Sequence, residues 1–267
     1  MAEAPDRLRR DSFDSVAEVY ERARPRYPEQ LVDDLTSLAG IGEGTRVLEI
    51  GPGTGQLSVP LAERGAFLVA VERGPNLANV LRRRLSRFDH AAVVVADFDR
   101  WDAPPASFDV VVAATAFHWL DPSTRVLKAA KILRPGGSLA IVQTRWGVAT
   151  CDDPFFAASQ ACYSRWYPNH DPTYRQIRPE DVPDPCVELS IAEFAHVVHR
   201  RYLCDREYSA TAYCELLSTF SDVISLEDER RAGFLACMSR LIDSRFGGRI
   251  VRHDLHDLCV ARAPRRV

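Results

Sequence analysis

Lysine is nearly absent: of 34 basic residues only Lys128 and Lys131 are lysines, the remainder being arginines. Basic and acidic side chains almost cancel, leaving a net charge of −3 with neutral histidines. That balance gives no general pull toward nucleic acid or an anionic membrane. So strong an arginine bias reflects a GC-rich genome more than a binding role. No apolar run approaches the length of a membrane span, and "MAEAPDRLRRDSFD" at the start holds no apolar leader core. The cysteines, Cys151, Cys162, Cys186, Cys204, Cys214, Cys237 and Cys259, are scattered and lack C-x-x-C spacing. This argues against a metal site and a disulfide framework, so the expectation is reduced thiols in a soluble, cytoplasmic protein. Internal repeats and low-complexity stretches are missing as well.

What is there is a chain of 267 residues, 46% hydrophobic, enough for one large α/β domain or two small ones. Phe13, Val16, Ala17 and Tyr20 recur at helical spacing, with Ser12 or the box Ser15-x-x-Glu18 placed to cap them. Pro25 ends that helix, and Pro28 opens a second one carrying Leu31, Val32, Leu35 and Leu38, with Gly40 past its end. From Arg46 short apolar runs alternate with helical stretches. Strands are predicted at 46–50, 67–72, 91–95, 108–113 and 138–142, and helices at 55–64, 75–85 and 123–133. Runs such as "VVVA" are nearly continuous, as expected where helices cover both faces of a parallel sheet. Pro60 inside the first of these helices calls for a distorted first turn or a kink. After Thr144 the alternation stops in an aromatic-rich, proline-broken segment. It resumes with a long strand in "IAEFAHVVHRRYL", helices at 210–217 and 226–243, and a last strand in "RIVRHDLHDLCVARA". The expected organisation is a single domain over 1–267. It comprises a helical arm (1–40), a ligand-binding core (41–145), a cap insertion (146–190) and strands and helices completing the sheet (191–267).

The stretch "VLEIGPGTGQ" poses the functional question. A dinucleotide site wants G-x-G-x-x-G, but counting from Gly51 the third glycine is Gln56, and from Gly53 it is Ser58. Glu49 stands two residues before Gly51, where a carboxylate repels a pyrophosphate and suits a cationic ligand such as an ammonium or sulfonium.

With these segments in order, the sequence resembles the class I S-adenosylmethionine-dependent methyltransferases over nearly its whole length. "VLEIGPGTGQ" is similar to that family's first motif, "VAVERG" to its ribose-binding strand end and "VVADFDRWD" to its adenine-contacting segment. "FDVVVAATAFHWLD" and "KILRPGGSLAIVQT" are similar to its fourth and fifth strands, and "FDSVAEVYERARPRYP" to the N-terminal arm of its small-molecule subgroup. That subgroup includes trans-aconitate and quinone-type enzymes. The resemblance implies an α/β, Rossmann-like, doubly wound and mostly parallel seven-stranded sheet, with an inserted helical cap and an N-terminal arm.

It also implies S-adenosyl-L-methionine as cofactor and S-adenosyl-L-homocysteine as product. Gly51, Gly53 and Gly55 would let backbone approach the methionine portion. Glu49 would orient its amino group, and Glu72, with two acceptor oxygens, would take both ribose hydroxyls. Asp97 and Phe98 would contact adenine, with Arg73 and Ala114 beside them. The acceptor is expected among Tyr20, Arg24, Phe117, His118, Trp119, Arg145 and Trp146, with His118 as candidate general base and the rings of Phe155, Phe156, Tyr163, Trp166 and Tyr167 in the cap. The segment after the fourth strand lacks the acidic or Asn residue, two prolines and aromatic that serve methylation of base or glutamine amino groups. A small organic molecule methylated at oxygen, on carboxylate or hydroxyl, is therefore the expected acceptor, with no nucleic acid, membrane or metal involved. Two alternatives stay open: a binding module without transfer, and an RNA methyltransferase using Arg7, Arg9, Arg10 and Arg82–Arg84.

Overall fold

The computed structural model describes residues 11–150, 153–168, 170–191 and 194–264. The arm begins with a 3-10 turn (Phe13–Val16) and continues through α1 (Ala17–Ala23) and α2 (Glu29–Ala39). The expected serine caps are not made: Ser15 Oγ donates to the Ser12 carbonyl instead. Pro28 sits one residue before α2, and Gly40 closes it in the left-handed conformation with φ +74°.

Seven strands then build one sheet: β1 (Arg46–Ile50), β2 (Phe67–Glu72), β3 (Ala91–Val95), β4 (Phe108–Ala114), β5 (Leu133–Arg145), β6 (Ala195–Ser209) and β7 (Arg249–Arg262). Their order is β3-β2-β1-β4-β5-β7-β6, with β1 to β5 pairing in parallel and β7 antiparallel to both β5 and β6. Parallel neighbours require crossovers. Three of them carry α3 (Ser58–Glu63), α4 (Pro75–Leu85) and α5 (Arg125–Ile132). Leucines of α2, α3 and α4 pack on one face of the sheet, and Val126, Ala129 and Ile132 of α5 on the other. The strand order reverses between β1 and β4, which opens a crevice at their carboxyl ends. Pro60 is the third residue of α3, in the turn whose amides need no intrahelical partner, and irregular turns precede it.

Beyond the carboxyl edge of β5, β7 and β6 run on as a long two-stranded ribbon. It bears a cap assembled from both sides of β6: α6 (Pro154–Trp166), α8 (Ala210–Leu217), α9 (Ser221–Ile224) and α10 (Asp228–Arg245), packed around Phe155, Tyr213, Phe234 and Met238. A short α7 (Val187–Ile191) ends on the first residue of the strand predicted from "IAEFAHVVHRRYL", and β6 begins at Ala195; buried Leu189 and Phe194 anchor this part to the α5 face of the sheet.

The cysteine expectation is overturned. Cys162 on α6 is bonded to Cys237 on α10, and Cys186 before α7 to Cys259 on β7, each with Cα atoms 5.8 Å apart. The pairs are 75 and 73 residues apart in sequence, so only the tertiary fold brings them together. Cys204 and Cys214 are free thiols. Among the described residues no helix is long and apolar enough to cross a membrane, and no His, Cys, Asp and Glu cluster could hold a metal.

Candidate functional site

A cavity of about 680 Å³ opens over the carboxyl ends of β1, β2 and β4, under the arm and the cap. At its floor the turn after β1 holds Gly51 at φ +62° and Gly53 at φ +60°. A Cβ on Gly51 would lie 2.7 Å from the Ala116 methyl, so no larger residue fits that turn without displacement. The turn is tied to the next strand through Glu72. Gly53 N–H donates to Glu72 Oε2 at 2.9 Å and Gly74 N–H to Oε1 at 2.8 Å. With about four acceptor sites, the carboxylate keeps capacity for a further hydroxyl. Burial raises the Glu72 pKa, while the backbone donors of Gly74 and Gly53 oppose that.

Glu49 is 1% exposed and its Oε2 has no hydrogen-bond partner. Burial pushes its carboxyl up to about 7. A buried carboxyl with one oxygen unpartnered beside a close-approach glycine turn fits an incoming ammonium donor. Asp97 and Phe98 follow β3 at the far wall. Arg73 donates to Asp97 Oδ2 at 3.0 Å and pairs with Asp11 of the arm, so it braces that wall. Phe98 is 3% exposed, lies against the sheet core and carries Lys128 Nζ 5.0 Å from its ring centroid.

The arm closes the cavity. Asp14 accepts from the amides of Asn76 and Leu77 at 2.8 and 3.0 Å, capping the start of α4 from a distant segment. Tyr20 lies over Gly53, 3.5 Å from where its Cβ would be. Arg24 donates to Thr219 Oγ1 at 2.8 Å and its carbonyl at 2.7 Å, and its guanidinium faces the rings of Tyr20, Trp146 and Phe220. After β4, Thr115 is held at φ +56°, a costly conformation for a β-branched residue. It is fixed by a chain of hydroxyls: Tyr27 to Thr115 at 2.8 Å, Thr115 to Thr144 at 3.0 Å, and Thr144 to His256 Nδ1 at 2.9 Å. Burial lowers His256 to about 4, so the chain ends on a neutral imidazole. His118 lines the cavity with its side chain exposed; desolvation by the surrounding protein, with the charge of Arg125, lowers its pKa.

Of the residues expected from sequence, Tyr20, Arg24, Gly51, Gly53, Glu72, Arg73, Asp97, Phe98, His118, Trp119 and Trp146 line this cavity. Glu49 and Ala114 lie in an adjoining narrow cleft behind Gly51. Three do not reach the site. Gly55 serves packing, because a Cβ there would meet Leu81 at 2.6 Å. Phe117 is 3% exposed and turned into the sheet core, with Arg125 over its ring. Arg145 is exposed at the end of β5. Of the cap rings, Trp166 covers Gly233 on α10, whereas Phe155, Phe156, Tyr163 and Tyr167 line a second cavity of about 370 Å³. Sequence reasoning missed Asp14, Thr115, Asp222 and Arg252. Of these only Thr115, at a strand end before the His-Trp pair, gave a local signal.

The 3-2-1-4-5-7-6 sheet with an acid-edged crevice at its switch point is the α/β, Rossmann-like fold that solved methyltransferase structures share. Residues 48–141 match the family described as "Methyltransferase domain". An uncharacterised methyltransferase of Mycobacterium tuberculosis is 39% identical over 131 residues, 49% of this chain and 51% of its own length. One from Geobacillus kaustophilus is 30% identical over 143 residues, 50% of this chain and 66% of its own. The chain thus spans about half the length of the first curated relatives it matches. Among solved structures, a candidate type II methyltransferase from Anaeromyxobacter dehalogenans superposes with a TM-score of 0.61 at 25% identity, covering 91% of this chain and 99% of that one. A phosphoethanolamine N-methyltransferase from Haemonchus contortus, solved with S-adenosylhomocysteine, shares the fold alone, with a TM-score of 0.54 at 16% identity over 94% of this chain and 57% of that one.

Proposed function

We propose that the chain transfers a methyl group from S-adenosylmethionine to an oxygen, carboxylate or hydroxyl, of a small organic acceptor. When bound, the cofactor supplies a methyl on a cationic sulfur, open to in-line attack. Glu72 takes the ribose, Asp97 and Phe98 the base, and the Gly51–Gly53 turn with Glu49 the methionine portion. The carrying observation is the unpartnered Glu49 oxygen beside that turn, which asks for a cationic group.

The protein's remaining work is alignment and exclusion of water. The arm residues Tyr20 and Arg24 cover the cavity, and Trp119 and Trp146 wall it. His118, whose pKa lies below its ordinary value, is unprotonated at neutral pH and available to accept a proton from a hydroxyl acceptor. A carboxylate acceptor needs no base. Arm, core and cap all contribute to one site, which supports treating the chain as one domain.

A nucleic-acid acceptor finds no basic face among the described residues around Arg82–Arg84: Arg83 pairs with Glu18 and Arg84 with Glu21 of the arm. Arg7, Arg9 and Arg10 lie outside the described residues. The test is incubation with S-adenosylmethionine and a pool of small acids and phenols, read by mass spectrometry. A gain of one methylene unit on an acceptor, with release of S-adenosylhomocysteine, is expected. Tight cofactor binding without any methylated product would instead favour a binding module.

A further inference from the structure

The smaller cavity joins the larger one at a neck formed by Trp146, Tyr163, Asp222 and Arg252, the residues lining both. Neither Gly51, Gly53 nor Glu72 reaches the smaller cavity, so it stands apart from the groups assigned to the cofactor. Arg252 comes from the β7 ribbon, and its side chain is 12% exposed. A guanidinium has five N–H donors. Arg252 makes one hydrogen bond among the described residues, to Tyr213 Oη at 2.9 Å. Its neighbour Asp254 is 3.7 Å from Nε, too far for a hydrogen bond, and the same Asp254 oxygen already accepts from Gly147 N–H.

Arg24 lines the larger cavity beside Trp146, has no carboxylate within ion-pair distance among the described residues, and feels the Arg252 charge. Burial is the main cause that lowers its pKa, while the Asp222 charge acts to raise it. Against these two guanidiniums stand exposed Asp222 at the neck, which accepts from Tyr167 at 3.3 Å, and buried Asp254, 3.7 Å from Arg252 Nε. An anion entering here fills unused donors on the buried Arg252 guanidinium. The walls behind the neck carry the rings of Phe155, Phe156, Tyr163, Tyr167 and Tyr174, with Asp153 and Asp171 among the polar residues beside them.

We propose that the acceptor is a small organic acid whose anionic group pairs with Arg252 at the neck and whose flat apolar body lies in the smaller cavity against Phe156 and Tyr163. The proposal rests on the larger cavity being the cofactor site. It is tested by calorimetry on the full chain saturated with S-adenosylhomocysteine, titrated with 4-hydroxycinnamate and with its neutral amide. The acid is expected to bind about tenfold tighter or more, the scale of a charge-assisted hydrogen bond. Arg252→Met should erase that preference, Arg252→Lys should keep part of it, and Phe156→Ala should weaken acid and amide by similar factors.

Equal binding of acid and amide, no binding of the acid, or a preference that survives Arg252→Met would each overturn the proposal. So would Phe156→Ala leaving both affinities unchanged, a readout independent of whether Arg252 variants fold. A carboxylate is also present on the cofactor, and methylthioadenosine, which lacks it, separates the two sources. If Arg252→Met weakens S-adenosylhomocysteine but not methylthioadenosine, Arg252 serves the cofactor and the proposal fails. If the wild-type protein does not bind S-adenosylhomocysteine at all, the cofactor reading fails first and the proposal with it.

Discussion

At the sheet end of the larger cavity stand Glu72 and Asp97, with Glu49 behind the glycine turn; at the cap end stand Arg24 and Arg252. The acidic end is built locally. Each carboxylate sits at or just past the end of a short parallel strand, and Glu72 is held by backbone amides of the two loops it joins. The basic end is built from far-separated pieces: an arm helix end, the β7 ribbon and helices on both sides of β6. In the proposed reading one end takes a cationic nucleoside with strand termini and backbone. The other reads its ligand with side chains on a cap that has its own core around Phe234 and Met238. The contrast separates a site built from strand ends and backbone from one built from cap side chains.

The comparison breaks most sharply at the glycine turn. Gly51→Val places a β-branched residue at φ +62° with its Cβ 2.7 Å from Ala116. Strain of about 3 kcal/mol or more is expected, lowering S-adenosylhomocysteine affinity by about a hundredfold. Calorimetry checks this, and an unchanged affinity would show that the turn does not touch the ligand.

Glu49 sharpens the acidic end through pH. Its folded pKa of about 7 lies above its ordinary 4.5, so between those values the folded protein keeps a proton that the unfolded chain has lost. Its contribution to stability therefore falls as pH rises across that window. Cofactor affinity moves the opposite way, because the ammonium prefers the ionised carboxylate. It should fall by up to about tenfold per pH unit below about 7 and level off above it. Glu49→Gln should flatten the profile measured by titration at several pH values.

At the cap end, Cys162→Ser with Cys237→Ser should cost about 2–4 kcal/mol of stability in denaturant unfolding. S-adenosylhomocysteine affinity should change least of all three tests, because the Cys162–Cys237 bond joins α6 to α10 away from the glycine turn. A large loss of cofactor affinity would mean that the two ends are not independent.

The acidic end was legible because its signals are local. β1, β2, β3 and α4 match the predicted residue ranges, Gly51 and Gly53 mark the close approach, and Glu49 and Glu72 lie within a single β-α-β stretch. Gly55 misleads because spacing alone does not distinguish a glycine facing ligand from one facing Leu81. The cap was legible only as an aromatic excess. Whether Trp166 or Tyr163 faces a cavity depends on α10, which begins more than 60 residues later. Both disulfides, and the meeting of Arg252 with Tyr163 and Asp222, exist only once β7 returns across the sheet. Asp14 likewise acts on α4 from a segment about 60 residues away.

The most direct measurement is calorimetric titration of wild type and Glu72→Ala with S-adenosylhomocysteine, beside NADH on the wild type. One-to-one binding by the wild type, weakened about a hundredfold by the loss of two charge-assisted hydrogen bonds, together with no heat from NADH, is the result predicted. Undiminished affinity in Glu72→Ala, or tight binding of NADH in place of S-adenosylhomocysteine, would contradict it.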